Sequence, residues 1–221
     1  MKVGAAPLTV GRHDGKVRSS PQSQEGITMT RVFAAVVLSS ALALPVLAAL
    51  KEGEKAPDFK APASLAGKEF TFALRDALKK GPVVVYFYPA AFTGGCNAQA
   101  HAFSENSDKF AAAGASIIGV SLDKIATLNQ FSSDPQYCAG KVPVASDADG
   151  KISKGYDLQV KDAKPGAKNI KGDEIGHGFA ERTTFVVTPD GKVAATISNV
   201  APTDNVNKAL EAVQQVKQKK G

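Results

Sequence analysis

The 221-residue chain has no tryptophan, two cysteines and three histidines. Two cysteines cannot build a disulfide scaffold, and with so few histidines they weigh against a tetrahedral zinc site. There is no P-loop and no dinucleotide fingerprint, so nothing points to a bound nucleotide, and no internal repeat is present. No residue type dominates: charged residues make up 22%, with 20 Gly and 12 Pro, which removes collagen-like, coiled-coil and low-complexity readings. Nor is there a strong excess of one charge. The net charge is +6, and half of it falls in residues 1–48, where Lys2, Arg12, Lys16, Arg18 and Arg31 face only Asp14 and Glu25. The remainder is nearly balanced, which argues against nucleic acid as a partner. What is present is 43% hydrophobic residues, enough for a proper core. Two thiols are also present, Cys96 and Cys138.

The stretch from Val32 to Leu50, VFAAVVLSSALALPVLAAL, carries no charge and follows Arg31. A positive start, an apolar run, the Pro45 break and small residues at Ala48 and Ala49 predict an export signal cleaved after Ala48 or Ala49. An uncleaved membrane anchor and a buried core helix are the other readings of this run. Residues 1–28 lack periodicity and are rich in Gly, Ser, Pro and Gln, and read as a disordered leader that is untranslated if Met29 is the true start. The expected organisation is therefore leader 1–28, signal peptide or anchor 29–48, and one domain over 49–221.

Within that domain strands and helices alternate. A hairpin is expected over Leu65–Leu74 with Ala66–Gly67 at its turn, then a short helix over 73–81 closed by Gly81. The run PVVVYFYP, bounded by Pro82 and Pro89, predicts a buried central strand. A helix from near Cys96 to Ala113 follows, then a buried strand over 115–121. Asp123 is expected to cap a helix over 124–131. A brief strand at 142–145 and a short helix after Asp149 come next. A hairpin turns at Pro189-Asp190-Gly191, and a C-terminal helix from near Asp204 puts Val206, Leu210, Val213 and Val216 on one face. Between Leu158 and Arg182 lies a long irregular segment bearing Lys161, Lys164, Lys168 and Lys171. Segments of that kind are commonly functional or mobile.

The chemistry concentrates after the central strand, in Pro89-Ala-Ala-Phe-Thr93-Gly-Gly-Cys96. A cysteine in the first turn of a helix meets unpaired backbone N–H groups and the positive end of the helix dipole, both favouring thiolate, the reactive form. Thr93 is placed to hydrogen-bond the sulfur or a bound oxygen. Pro89, with fixed φ and no N–H, shapes the turn, and Gly94 and Gly95 permit close approach of a small ligand.

Pro-x-x-x-Thr-x-x-Cys after a hydrophobic strand resembles the active-site signature of peroxiredoxins. GEKAPDF, GASIIGVSLD, VASDADGKISKGYDL and ERTTFVVTPDGKV are similar to further segments of that family, in the family's order. The nearest resemblance is to the bacterioferritin comigratory, or Q-type, group. It implies an α/β thioredoxin-like fold, a central mixed β-sheet flanked by helices with an N-terminal hairpin extension.

By that resemblance Cys96 is the peroxidatic cysteine, Thr93 and Pro89 are its loop residues, and Arg182 is the arginine that holds thiolate and peroxide. His101 stands where many Q-type members have a resolving cysteine, and Gln99 where an acidic residue is frequent. His101 is expected on another helix face, five residues advancing roughly 140° net. Cys138, in an aromatic-Cys-Ala-Gly setting, matches a resolving position in related thiol peroxidases, with a buried apolar thiol and a static disulfide as its other readings. The implied activity is reduction of H2O2 or alkyl hydroperoxides with a thioredoxin-like dithiol as reductant, without metal, haem, flavin or nucleotide, by a monomer or homodimer in the bacterial periplasm. A membrane is a partner only if the signal stays uncleaved. A one-cysteine cycle and a non-catalytic redox-sensing or thiol–disulfide exchange domain remain alternatives. Exchange proteins of this fold want Cys-x-x-Cys or Cys-x-x-x-Cys, and at the first of these spacings before Cys96 this chain has Thr93.

Overall fold

The computed structural model describes residues 49–219, so the leader and signal readings lie outside the described residues. From the N-terminal side, β1 (Lys60–Leu65) and β2 (Lys68–Ala73) form the expected hairpin, with β1 starting upstream of Leu65. Ala66 and Gly67 at its turn have φ of 51° and 77°, a turn whose twist matches paired strands. Then come α1 (Leu74–Leu78), β3 (Val83–Phe87), α2 (Gly94–Ala112), β4 (Ser116–Ser121), α3 (Ile125–Ser133), β5 (Val144–Ser146) and α4 (Lys151–Gly155). The last part holds β6 (Val160–Lys161), β7 (Phe179–Ala180), β8 (Thr183–Val187), β9 (Val193–Ser198) and α5 (Pro202–Gln218). Seven strands share one sheet in the order β2-β1-β5-β4-β3-β8-β9. The β3–β4 and β4–β5 pairs are parallel, while β8 is antiparallel to β3 and β9, and β1 to β5, giving the mixed sheet expected.

All five residues of β3 are buried because the sheet is covered on both faces. Side chains alternate, so Val84 and Tyr86 enter a core formed with Phe103 and Phe110 of α2, Leu128 of α3 and Val213 of α5. Val83, Val85 and Phe87 enter a second core with Leu74 of α1, Phe59, Tyr156 and Leu158. Both cysteines belong to the first core. The chain beyond Ala49 is part of the fold from its start. Leu50 is buried in the second core, and its carbonyl accepts the Thr196 hydroxyl at 2.6 Å.

Four expectations are corrected. Asp123 does not cap α3; Lys124 is the N-cap, and Asp123 is turned inward. Gly81 lies beyond the end of α1, and glycine is required there because a Cβ would stand 2.1 Å from the Gly114 carbonyl oxygen. On α5 Ala209 is fully buried in place of the expected Leu210, which is only half-buried beside it. The long segment after Leu158 is not wholly irregular, since β6 and β7 pair at its two ends.

Candidate active site

From the end of β3 the chain passes half-buried Pro89 and turns through Ala90–Thr93 into α2. Phe92 sits at φ 56°, a left-handed conformation that non-glycine residues seldom adopt. Its buried ring is held by edge-on contacts to Phe131 and Tyr137, at centroid distances of 5.1 and 5.7 Å. Thr93 is the extended N-cap of α2, and its hydroxyl donates to the Ala90 carbonyl at 2.8 Å. Of the two bonds expected of Thr93, to the sulfur or to a bound oxygen, the first is not made: its hydroxyl proton goes to the Ala90 carbonyl and closes the loop, while its oxygen lone pairs stay open to a bound donor.

Cys96 is the third residue of α2 and is buried. The first-turn amides of Gly94, Gly95 and Cys96 have no intrahelical acceptor, so the helix end is electropositive there. Arg182 is the residue immediately before β8, the strand paired with β3. Thr183 pairs with Phe87 in the β3–β8 ladder, which sets residue 182 level with the end of β3. Its Nη2 donates to Cys96 Sγ at 3.2 Å, and its Nη1 donates to Gln99 Oε1. A permanent cation at that distance stabilises negative charge on the sulfur. Gly95 makes the approach possible, because a Cβ there would stand 3.2 Å from Arg182 Nη2. Gly94 faces open space, so of the two glycines expected to admit a ligand, Gly95 instead admits the arginine.

Gln99, given no role by the sequence reading, is fully buried and donates from Nε2 to Asn205 Oδ1 at 3.0 Å. Its position was legible as three residues after Cys96, hence the same face of α2. Asn205 was legible as a polar residue at the buried phase of α5. His101 is exposed, on the helix face expected for it.

Cys138 lies in the turns after α3, wholly buried, and both cysteines are free thiols. Burial pushes the Cys138 thiol well above its ordinary range, and the nearby Asp134 charge pushes it further. Its neighbours Phe131 and Tyr137 are the rings on which Phe92 rests.

The lysine-bearing segment docks on the Cys96 loop. Ile170 N–H donates to the Phe92 carbonyl at 2.9 Å, and Lys171 Nζ stands 3.6 Å over the Phe92 ring. Further along, His177 Nε2 lies 3.0 Å from Asp123 Oδ1 and its Nδ1 2.8 Å from the Gly178 carbonyl. The other Asp123 oxygen accepts the Ala91 N–H at 2.8 Å and the Ser121 hydroxyl at 2.7 Å. Asp123 thus ties the long segment to the loop that carries Cys96. Among the described residues no group of three or more His, Cys, Asp or Glu side chains is placed to hold a metal ion.

A mixed sheet whose central strand feeds a helix with a cysteine in its first turn defines a thioredoxin-like protein with a thiol centre. The AhpC/TSA family matches residues 53–196. A putative peroxiredoxin of Mycobacterium tuberculosis is 35% identical over 159 residues, covering 72% of this chain and 92% of that one. A chloroplastic 2-cysteine peroxiredoxin of Chattonella marina var. antiqua is 28% identical over 172 residues, 76% and 80% of the two chains. Among solved structures, peroxidoxin BcpB from Mycobacterium tuberculosis aligns with a TM-score of 0.63 at 30% identity, covering 76% of this chain and 98% of that one. The Xanthomonas campestris bacterioferritin comigratory protein aligns at 0.56 and 28%, covering 71% and 91%. The chain belongs to the AhpC/TSA family and is a peroxiredoxin, an enzyme that reduces peroxide with thiols.

Proposed function

We propose that Cys96 is the peroxidatic cysteine and that the 3.2 Å contact from Arg182 Nη2 to its sulfur is the feature that activates it. The Cys96 thiolate attacks the terminal oxygen of H2O2 or an alkyl hydroperoxide. The S–O bond forms as the O–O bond breaks, and the leaving oxygen takes a proton to depart as water or alcohol, with Cys96 oxidised to sulfenic acid. Arg182 stabilises negative charge on both sulfur and oxygen. Alkyl peroxide reduction is the activity ascribed to the Xanthomonas campestris relative. Cys138 then condenses with the sulfenic acid, releasing water and leaving an intramolecular disulfide. A thioredoxin-like dithiol reduces that disulfide by exchange and is itself oxidised. The shared aromatic cluster of Phe92, Phe131 and Tyr137 supports this pairing, because it links the Cys96 loop to the Cys138 turn. A one-cysteine cycle with an external thiol is the second reading, favoured by the complete burial of Cys138.

Replacing Cys96 by Ser is expected to lower peroxide consumption on the order of 10³-fold or more. Full activity in Cys96→Ser removes the proposal. Peptide mapping of peroxide-treated protein without reductant is expected to yield a Cys96–Cys138 cross-link. In Cys138→Ser, turnover with a protein dithiol should stop after sulfenic acid forms; unchanged turnover selects the one-cysteine cycle. We further propose export to the bacterial periplasm with cleavage after Ala48 or Ala49, either of which leaves the packed Leu50 intact. A mature N-terminus upstream of Val32, read by mass spectrometry of the exported protein, overturns that.

A further inference from the structure

We propose that Asn205, on the C-terminal helix α5, is a positioning residue that sets the Arg182 guanidinium on Cys96 by acting through Gln99. The inference rests on the reading of Cys96 as the peroxidatic cysteine. The buried face of α5 is Val206, Ala209, Val213 and Val216, and docking alone calls for another apolar residue at the fully buried position 205. An amide there has to be matched bond for bond, since an unpaired buried polar group is costly. It is matched in one direction. Asn205 Nδ2 donates to the Ile197 carbonyl at 3.1 Å, which turns its Oδ1 toward Gln99 Nε2, 3.0 Å away, and toward the Thr184 hydroxyl. Gln99 is thereby oriented with Nε2 to Asn205 and Oε1 to Arg182 Nη1.

The polarity of this chain matters because a guanidinium only donates. A reversed Gln99 amide would set donor against donor and release Arg182, a long half-buried side chain with rotamers open to solvent. A main-chain carbonyl cannot reverse, so Ile197 on β9 fixes the orientation of Asn205, then of Gln99, and so the acceptor that Arg182 meets. The second guanidinium nitrogen is left on the Cys96 sulfur at 3.2 Å. The C-terminal helix, which contributes no reacting atom, thus sets the electrostatics of the thiol.

The test is the pH dependence of Cys96 alkylation by iodoacetamide, in the full chain with Cys138→Ser, together with kcat/KM for H2O2 in the chain with both cysteines. Asn205→Ala is expected to raise the alkylation midpoint by about half a pH unit or more and to lower kcat/KM about tenfold. Val213→Ala, on the same helix face but outside the relay, is expected to lower the melting temperature and leave the midpoint in place. The proposal is overturned if Asn205→Ala keeps the midpoint of its parent, or if Val213→Ala moves it as far. Asn205→Ser, whose hydroxyl is too short to reach Gln99, is held to the same two outcomes and serves where the alanine variant does not fold. Alkylation requires no turnover. Peroxide consumption surviving Cys96→Ser would therefore remove the peroxidatic reading, while the midpoint continues to judge the relay.

Discussion

The volume that Gly95 leaves empty is filled by charge. A Cβ at that position would stand 3.2 Å from Arg182 Nη2, so alanine forces the guanidinium to move by a few tenths of an ångström. The other neighbour of the methyl, Pro202 Cγ at 3.5 Å, is at ordinary van der Waals distance, and Gly95 is not at positive φ. Alanine should even favour the helix, by roughly 0.5–1 kcal/mol. Gly95→Ala is therefore expected to keep or raise the melting temperature while kcat/KM for peroxide falls several-fold, about tenfold at most. Gly94→Ala gains the same helix preference against open space and is expected to cost less than about twofold. Equal losses in the two variants would mean that Arg182 is not the group that meets the added methyl. Cys96 and Arg182 could be read in the sequence because motif and strand order supply them. Gln99 and Asn205 could not be paired, because an amide's partner is set by three elements that meet only in the folded chain.

Most elements read by local pattern came out where expected, while the roles of single residues set by distant partners did not. β3 was legible because a wholly apolar β-branched run between two prolines has one good solution. Asp123 was misread as a cap since Asp before a helix commonly caps it, whereas here its carboxylate serves Ala91, Ser121 and His177. The segment from Gln159 to Glu181 was unreadable as structure because its order comes from docking on another loop. His177 fastens it. Burial opposes the imidazolium, but hydrogen bonds to the Asp123 carboxylate and the Gly178 carbonyl outweigh it, and the pKa of His177 is raised above 6.5. Both ring nitrogens face acceptors, which only the protonated ring can satisfy with two donors. A histidine raised in the folded state contributes stability fully below its unfolded value, near 6.5, and loses it as pH climbs through the higher folded value. Segment docking should weaken above neutrality. NMR titration of His177 is expected to give a midpoint above 6.5, with amide exchange of the segment, corrected for intrinsic rate, rising across the same range. A midpoint below 6.5 would show a neutral ring and remove the fastening.

At the scale of the whole molecule, the proposed disulfide demands that two buried sites in one core open together while the sheet beneath them holds. A disulfide needs Cα atoms within about 7 Å, and its nucleophile must be a thiolate. Cys138 does not meet the second demand where it lies, since burial keeps its thiol protonated. It must leave the core. What holds it is local: the turns after Ser133 and the stack of Phe131 on Tyr137, at 5.5 Å. What holds the Cys96 end is Phe92, seated edge-on against those same two rings. Withdrawal of Phe92 therefore loosens both ends at once, and the ladders of β3, β4 and β8 need not break. Opening of this kind is drawn from the low-stability part of a fold and leaves the rest protected. The oxidised protein is accordingly expected to exchange amides at 93–98 and 134–141 about tenfold faster or more than the reduced protein, with β3, β4 and β8 unchanged. Phe92→Ala separates the coupling from mere softness. It removes the shared support, so disulfide formation from the sulfenic acid should quicken several-fold, while reaction with peroxide slows because the loop loses the seat that holds residue 92 left-handed. If exchange instead rises through the sheet, or if Phe92→Ala slows both steps alike, the two cysteines are not joined through this cluster.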